Sequence, residues 1–230
     1  GASPKVLAKI QEVRTADALP VYPEYTEVLP TLAKFFEVGE DELVMTNGTD
    51  EAIQVLINAY VDNDDDVLIL TPSYAMYRFY SEVAGASVRT LPYKKDTLKF
   101  PLDELLAAIR PDTKAILISN PNNPTGTAIK RDGIERILDK APRAAVLIDE
   151  AYFEFCGITM LPYLNEYPNL FVSRTFSKVY GMAALRVGCL FSCADNMQAI
   201  HKSHSPYSVN YIAAIAAKAA VEDTSFLKSF

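Results

Sequence analysis

The chain has 230 residues, of which 50% are hydrophobic and 22% are charged, as is typical of a globular protein with a large core. The formal net charge of −7 argues against nucleic acid as a partner, because nucleic-acid binding depends on clustered lysine and arginine. No apolar run approaches the about 20 residues of a membrane-spanning helix, so we expect no membrane partner.

Short apolar runs alternate with amphipathic stretches along the chain. The runs predicted to be strands are 42–48, 66–71, 115–120, 144–150, 169–175 and 187–192, with a further short strand at 87–93. The stretches with helical periodicity between them are 50–60, 74–84, 101–110 and 131–140. Continuous apolar strands separated by amphipathic helices predict an α/β fold, with a mostly parallel sheet covered by helices on both faces.

The last stretch, 209–230, is alanine-rich and ends without a Gly or Pro stop signal. We predict one long helix that leaves the sheet and leads toward a C-terminal domain that these residues do not contain. The chain is therefore expected to stop in the middle of its architecture.

The cysteines and histidines show no metal or disulfide pattern. Cys156, Cys189 and Cys193 have no familiar spacing, and we interpret them as buried thiols of a cytoplasmic protein. The first ten residues also lack the apolar core of an export signal. His201 and His204 are predicted to lie on a polar helix face rather than to bind a metal.

Candidate functional residues are sought after each strand, because open α/β sheets bind ligands beyond the carboxyl ends of their strands. Gly48, Thr49 and Asp50 follow the first strand and open a helix. A glycine turn at a helix start suits a phosphate, and a helix cap without a ligand is the alternative. No glycine fingerprint of a nucleoside triphosphatase or a dinucleotide enzyme is present, so a nucleotide-binding module is not supported.

Two further strand ends carry polar residues. A loop with two prolines, 120–126, follows the strand 115–120 and contains Asn123, which is suited either to recognition or to a purely structural turn. Asp149 ends a fully apolar run, a position that is costly unless a cation or hydrogen-bond donors meet the carboxylate. It is either a strand-end cap or the partner of a protonated ring nitrogen, which Tyr152 could help to frame.

Lys178 follows the strand 169–175, together with Thr175, Ser177 and Arg186. A lysine is usually a surface residue. A desolvated lysine, however, has a lowered pKa and can act as a nucleophile or a base, and we expect Lys178 to be desolvated at this strand end.

Taken together, these strand ends describe one ligand, pyridoxal 5′-phosphate. Its phosphate would meet Gly48–Asp50 together with Thr175, Ser177 and Arg186. Asp149 would pair with its ring nitrogen, Asn123 and Tyr152 would contact its ring hydroxyl, and Lys178 would meet its aldehyde. Tyr74 could supply an aromatic face for the ring, and a core tyrosine is equally compatible with its position.

At these segments the sequence resembles the fold-type I pyridoxal-phosphate aminotransferases, and within them most closely the histidinol-phosphate aminotransferase branch. The matching segments come in the family's order: VYPEY (21–25), TNGTDEAI (46–53), TPSYAMY (71–77), SNPNNPTG (119–126), IDEAYFEF (148–155) and SRTFSKVYGMAALRVG (173–188). The threonine-phosphate decarboxylases share most of these segments. The resemblance covers nearly the whole chain.

The resemblance implies that Lys178 binds the cofactor aldehyde covalently and that Asp149 pairs with the ring nitrogen. It implies Asn123 and Tyr152 at the ring oxygen and Tyr74 over the ring. It also implies that the phosphate is held by Gly48, Thr49, Asp50, Thr175, Ser177 and Arg186.

A partner subunit is part of the same expectation. By the resemblance, Tyr22 reaches the phosphate of a neighbouring subunit, so a homodimer is implied. The family commonly has an arginine two residues before that tyrosine, where this chain has Pro20. The family's substrate-carboxylate arginine lies in the C-terminal domain, and its N-terminal arm precedes the position of Gly1.

The implied activity is amino transfer between a phosphorylated amino compound, histidinol phosphate, and 2-oxoglutarate or glutamate. A threonine-phosphate-type decarboxylase and an aromatic amino-acid aminotransferase are alternatives on the same scaffold. A non-catalytic ligand-sensing domain is a further alternative, although no basic helix-turn-helix stretch accompanies it. The expected organisation is an N-terminal helix and inter-subunit segment at 1–25, a cofactor-binding large domain at 26–208 and the start of the long helix at 209–230.

Overall fold

The computed structural model of the protein describes residues 1–13 and 20–227. In these ranges the strands are Leu43–Thr46 (β1), Asp66–Thr71 (β2), Ser87–Pro92 (β3), Thr113–Ser119 (β4), Ala145–Asp149 (β5), Leu170–Thr175 (β6) and Gly188–Phe191 (β7). The helices are Pro4–Glu12 (α1), Leu29–Phe36 (α2), Gly48–Tyr60 (α3), Ala75–Val83 (α4), Leu102–Ala108 (α5), Arg131–Lys140 (α6), Ala194–Ser203 (α7), Tyr211–Glu222 (α8) and Thr224–Leu227 (α9).

The strands form one sheet in the order β1-β7-β6-β5-β4-β2-β3. β7 is antiparallel to both of its neighbours, and the other pairings are parallel. The prediction of a mostly parallel sheet is therefore confirmed. The carboxyl ends of β4, β5 and β6 lie side by side at one edge of the sheet, where a ligand site is expected.

Side chains alternate between the two faces of the central strands, and each face has its own core. Leu117 and Leu147 pack with residues of α3, α4 and α7 on one face. Ile118 and Ile148 pack with residues of α1, α2, α6 and α8 on the other. Strands that are buried on both faces need continuous apolar runs, which is why these segments could be recognised in the sequence.

The prediction of one long C-terminal helix is wrong. Helix α8 ends at Glu222, and Asp223 separates it from the short helix α9. Rather than leaving the sheet, α8 buries Ala213, Ala217 and other alanines in the core it shares with α1 and α2. Small side chains allow that close packing, so the alanine content reflects helix contacts. The proposed domain limits at residues 25 and 208 stay predictions.

Two predictions about single side chains are also corrected. Cys189 is buried, but Cys156 and Cys193 are partly exposed. His201 is exposed on α7, whereas the side chain of His204, just beyond the end of that helix, is only 4% exposed. Within the described ranges, no helix combines the length and the apolarity needed to cross a bilayer.

Candidate functional site

A cavity of about 410 Å³ opens at the carboxyl ends of the strands. Ten of the twelve residues predicted for the site line it: Thr49, Asp50, Tyr74, Asn123, Asp149, Tyr152, Thr175, Ser177, Lys178 and Arg186. They come from five separate segments of the sequence, and the parallel strand order brings them to one place. The other two predicted residues, Gly48 and Tyr22, do not line this cavity.

Gly48 lies behind the cavity at the start of α3. Its φ of +74° belongs to the left-handed region that favours glycine. A Cβ atom at this position would lie 2.7 Å from Nη2 of Arg186. A glycine is therefore required both by the turn and by the close approach of the arginine.

Asp50 connects two other residues of the cavity. Its Oδ1 accepts a hydrogen bond of 2.6 Å from the Tyr74 hydroxyl, and its Oδ2 lies 2.9 Å from Nη2 of Arg186. Burial, with the hydrogen bond to Asp50 as the second cause, raises the pKa of Tyr74 above its ordinary value. Asp50 thus orients one aromatic ring and one guanidinium toward the same space.

Asp149 is held by three donors at the floor of the cavity. Tyr77 donates to Oδ2 over 2.7 Å, and Ser173 and the Ala151 N–H donate to Oδ1 over 2.9 and 3.2 Å. Asp149 is only 2% exposed, and its burial raises its pKa even though these hydrogen bonds act in the opposite direction. Among the described residues, no cation pairs with it.

The asparagines of the loop 120–126 have different roles. Asn120 pairs with the backbone of Ile129, accepting its N–H over 2.9 Å. Asn122 accepts a hydrogen bond from Ser73 over 2.7 Å and donates to the carbonyl of Pro72 over 3.0 Å. These two side chains are buried and structural, whereas Asn123 is half-buried and lines the cavity.

Lys178 faces the cavity. Its side chain is exposed, however, whereas the sequence predicts that it is desolvated. Its Nζ lies 5.1 Å from the centroid of the Tyr152 ring. Among the described residues, no carboxylate lies within ion-pair distance of this amine. The desolvation was expected from the strand end alone, but it depends on what covers the open side of the cavity.

A buried ion pair supports the segment that follows β5. Nε of Arg174 lies 2.7 Å from Oε2 of Glu150, with the guanidinium 3.5 Å from the centroid of the Phe153 ring. Glu150 also accepts hydrogen bonds from the Thr159 hydroxyl and the Met160 N–H. These contacts hold the turn that carries Tyr152 against β6, the strand that leads to Lys178.

Tyr22 lies apart from the cavity. It is 72% exposed, and its ring stacks on Tyr207 with centroids 4.6 Å apart. Its predicted role toward a neighbouring subunit therefore stays a prediction.

Several polar residues next to Asp149 were missed in the sequence. Ser119 and Ser173 pair with Asp149 in the strand register, one on each neighbouring strand. Tyr77 lies on α4, one turn after the N-cap residue Tyr74, a spacing that places the two rings on the same side of the helix. Two features of the sequence could have revealed these residues: the serines at the ends of the strands on either side of Asp149, and the i, i+3 spacing of the two tyrosines.

Known proteins resemble this chain in sequence. A family model described as aminotransferase class I and II matches residues 2–230. The histidinol-phosphate aminotransferase of Caldanaerobacter subterraneus subsp. tengcongensis is 37% identical over 209 residues, or 90% of this chain and 59% of that protein. The histidinol-phosphate aminotransferase of Shouchella clausii is 36% identical over 234 residues, or 99% of this chain and 63% of that protein. The chain thus spans about three fifths of these curated relatives.

Solved structures share the fold. Histidinol-phosphate aminotransferase from Sinorhizobium meliloti in complex with pyridoxal-5′-phosphate has a TM-score of 0.89 at 26% identity, covering 100% of this chain and 63% of that chain. L-threonine-O-3-phosphate decarboxylase from Porphyromonas gingivalis has a TM-score of 0.84 at 24% identity, covering 96% of this chain and 66% of that chain. The second likeness shows the fold alone.

Proposed function

Because the chain belongs to the aminotransferase class I and II family, we propose that its cavity binds pyridoxal 5′-phosphate for amino transfer. The observation that carries the proposal is the placement of Lys178 and Asp149 in one cavity. Lys178 offers an amine for the aldehyde of the cofactor, and Asp149 offers a buried carboxylate for a protonated ring nitrogen.

The phosphate end of the cofactor would lie at the start of α3. The N–H groups of a helix start bind anions, and Arg186 adds a full positive charge. The hydroxyls of Thr175 and Ser177 line the same cavity. Asp50 balances part of the arginine's charge, and so it also restricts where the guanidinium can point.

The residues at the other end fit a cationic ring. A carboxylate that is 2% exposed and has three donors, but no cation among the described residues, would gain most from a positively charged partner. Asp149 would keep such a ring protonated. Pyridoxal phosphate, when bound, supplies an electron-accepting ring that stabilises negative charge on the substrate carbon.

Lys178 would have two tasks in succession. Its amine would hold the aldehyde of the cofactor until the substrate binds. The freed Nζ remains at the cavity, where it can take a proton from the substrate α-carbon and return it. Tyr152, close to this amine, and Asn123 would donate hydrogen bonds to the ring oxygen.

We propose a phosphorylated amino compound, histidinol phosphate, as the amino donor and 2-oxoglutarate as the acceptor, with glutamate in the reverse direction. The names of the relatives from Caldanaerobacter and Shouchella support this choice. The protein would then act in histidine biosynthesis in the cytoplasm.

A homodimer is proposed as the functional unit. Tyr22 is exposed, stacked on Tyr207 and not part of the cavity lining of its own chain, which suits a residue that serves a neighbouring subunit. Light scattering coupled to gel filtration tests this proposal, and a monomer at micromolar concentration would contradict it.

Substrate assays separate the proposed activity from its alternatives. The purified chain with pyridoxal phosphate and 2-oxoglutarate is given histidinol phosphate, O-phosphothreonine or an aromatic amino acid in parallel. We expect glutamate to form with histidinol phosphate in the parental protein and not in Lys178→Ala. Carbon dioxide from O-phosphothreonine, or glutamate from the aromatic amino acid alone, would contradict the proposed substrate.

A further inference from the structure

A histidine with a buried side chain lies close to the proposed phosphate-binding turn and has no role in the proposed cofactor binding. Nε2 of His204 is 3.0 Å from the Ser208 hydroxyl and 3.6 Å from Oε2 of Glu51. The same hydroxyl donates to Oε2 of Glu51 over 2.8 Å. The side chains of His204 and Glu51 are only 4% and 16% exposed.

These residues do not form a hydrolytic triad. In such a triad the carboxylate contacts one ring nitrogen and the serine the other, so that a proton can pass across the ring. Here both Ser208 and Glu51 contact Nε2 of His204. The Ser208 hydroxyl is also directed to the carboxylate, so it is not activated as a nucleophile.

Glu51 instead acts on the backbone of the turn. Its Oε2 accepts a hydrogen bond of 2.5 Å from the N–H of Asn47, the residue that precedes Gly48. Asn47 is the N-cap of α3 but makes no side-chain cap of its own. A glutamate that reaches back to the N-cap backbone fixes the helix start; Glu51 does so from the fourth helical residue, one position later than in a capping box.

The loop 204–210 holds Glu51 in this position. Ser203 donates to the carbonyl of Val55 on α3 over 2.9 Å, and the Tyr25 hydroxyl donates to the carbonyl of Val209 over 2.6 Å. These contacts fix the loop on both sides of Ser208, to α3 before it and to Tyr25 after it. Burial raises the pKa of Glu51, but the nearby His204 ring and hydrogen bonds from the Asn47 N–H and Ser208 outweigh it and lower the pKa below its ordinary value.

We propose that Glu51, His204 and Ser208 form a positioning cluster that holds the Asn47 backbone and thereby fixes the N–H groups of Gly48 and Thr49 for binding the phosphate of the ligand. The cluster has no contact with the ligand itself and acts through the backbone of the turn. This inference rests on the proposed binding of pyridoxal phosphate.

The test compares pyridoxal phosphate with pyridoxal, which has the same ring and aldehyde but no phosphate. Absorbance titration gives the Kd of each ligand for the parental chain, Glu51→Ala, Ser208→Ala and the control His201→Gln, whose histidine is exposed on α7. We expect the Kd for pyridoxal phosphate to rise about tenfold in Glu51→Ala and about threefold in Ser208→Ala. The Kd for pyridoxal, and both values in His201→Gln, should stay unchanged.

The inference would be overturned if the cluster variants lost affinity equally for both ligands, or if neither variant lost affinity for pyridoxal phosphate. Ser208→Ala removes only one hydroxyl, so it keeps the test decisive if Glu51→Ala does not fold. A parental chain that binds both ligands equally would contradict the proposed phosphate site, and the cluster's role with it. A parental preference for the phosphate that the variants keep would contradict the cluster alone.

Discussion

The hydroxyl of Tyr77 donates a hydrogen bond of 2.7 Å to Oδ2 of Asp149, and both side chains are almost fully buried. The contact joins α4 to the end of β5 beneath the cavity. It fixes the carboxylate from the side opposite to Ser173, which donates to Oδ1. Asp149 therefore keeps its orientation without any ligand.

Tyr77→Phe removes this donor and keeps the ring in the core. Hydrogen bonds to charged groups are worth about 2 kcal/mol, so we expect the free energy of unfolding to fall by that amount. Urea denaturation measures the change. Tyr80→Phe, on the same helix and with no side-chain hydrogen bond among the described residues, is the control; equal losses in the two variants would contradict the role of the contact.

Asp149 should make the free energy of unfolding of the cofactor-free chain depend on pH. Burial raises its pKa in the folded state, so between the unfolded and the folded pKa the folded chain binds the proton more tightly. The free energy of unfolding then falls as pH rises above the unfolded pKa of about 4. Asp149→Asn removes this titration and should lose less stability than the parental protein as the pH rises above about 4.

Urea unfolding at several pH values tests this expectation. Only the slope of stability against pH is compared, because the substitution also alters hydrogen bonds with Tyr77 and Ser173. The other buried carboxylate of this region, Glu150, is common to both proteins. Parallel curves for the two proteins would show that Asp149 does not titrate as described.

The strands and most of the cavity could be predicted because they depend on local patterns. β5 is a continuous apolar run that stops at Asp149, and a sheet of parallel strands brings such ends together. The exposure of Lys178 could not be predicted, because it depends on what covers the cavity. The burial of His204 depends on contacts with Glu51, and the Ser208 hydrogen bond to the same glutamate spans 157 positions of the chain.

Arg186→Gln tests the phosphate end of the cavity. Loss of a charge-assisted contact should raise the Kd for pyridoxal phosphate by at least about tenfold and leave the Kd for pyridoxal unchanged. Arg78→Gln is the control, because Arg78 forms an exposed pair with Glu82 on α4. If Arg186→Gln binds pyridoxal phosphate as tightly as the parental protein, Arg186 is not a phosphate ligand.

Glu150→Ala tests the buried ion pair. It would leave Arg174 buried without its carboxylate, and we expect a loss of about 3–5 kcal/mol in the free energy of unfolding. Glu82→Ala breaks the exposed pair with Arg78 and should cost at most about 1 kcal/mol. Urea denaturation measures both changes. Comparable losses of stability in the two variants would show that breaking the buried pair costs no more than breaking the exposed one.

The central claim is that Lys178 carries the cofactor, and covalent trapping tests it most directly. The chain is mixed with pyridoxal phosphate, reduced with borohydride and digested for peptide mass mapping, with Lys178→Ala in parallel. We expect one modified peptide, containing Lys178, that is lost in the variant. A label spread over surface lysines, or unchanged in Lys178→Ala, would contradict it.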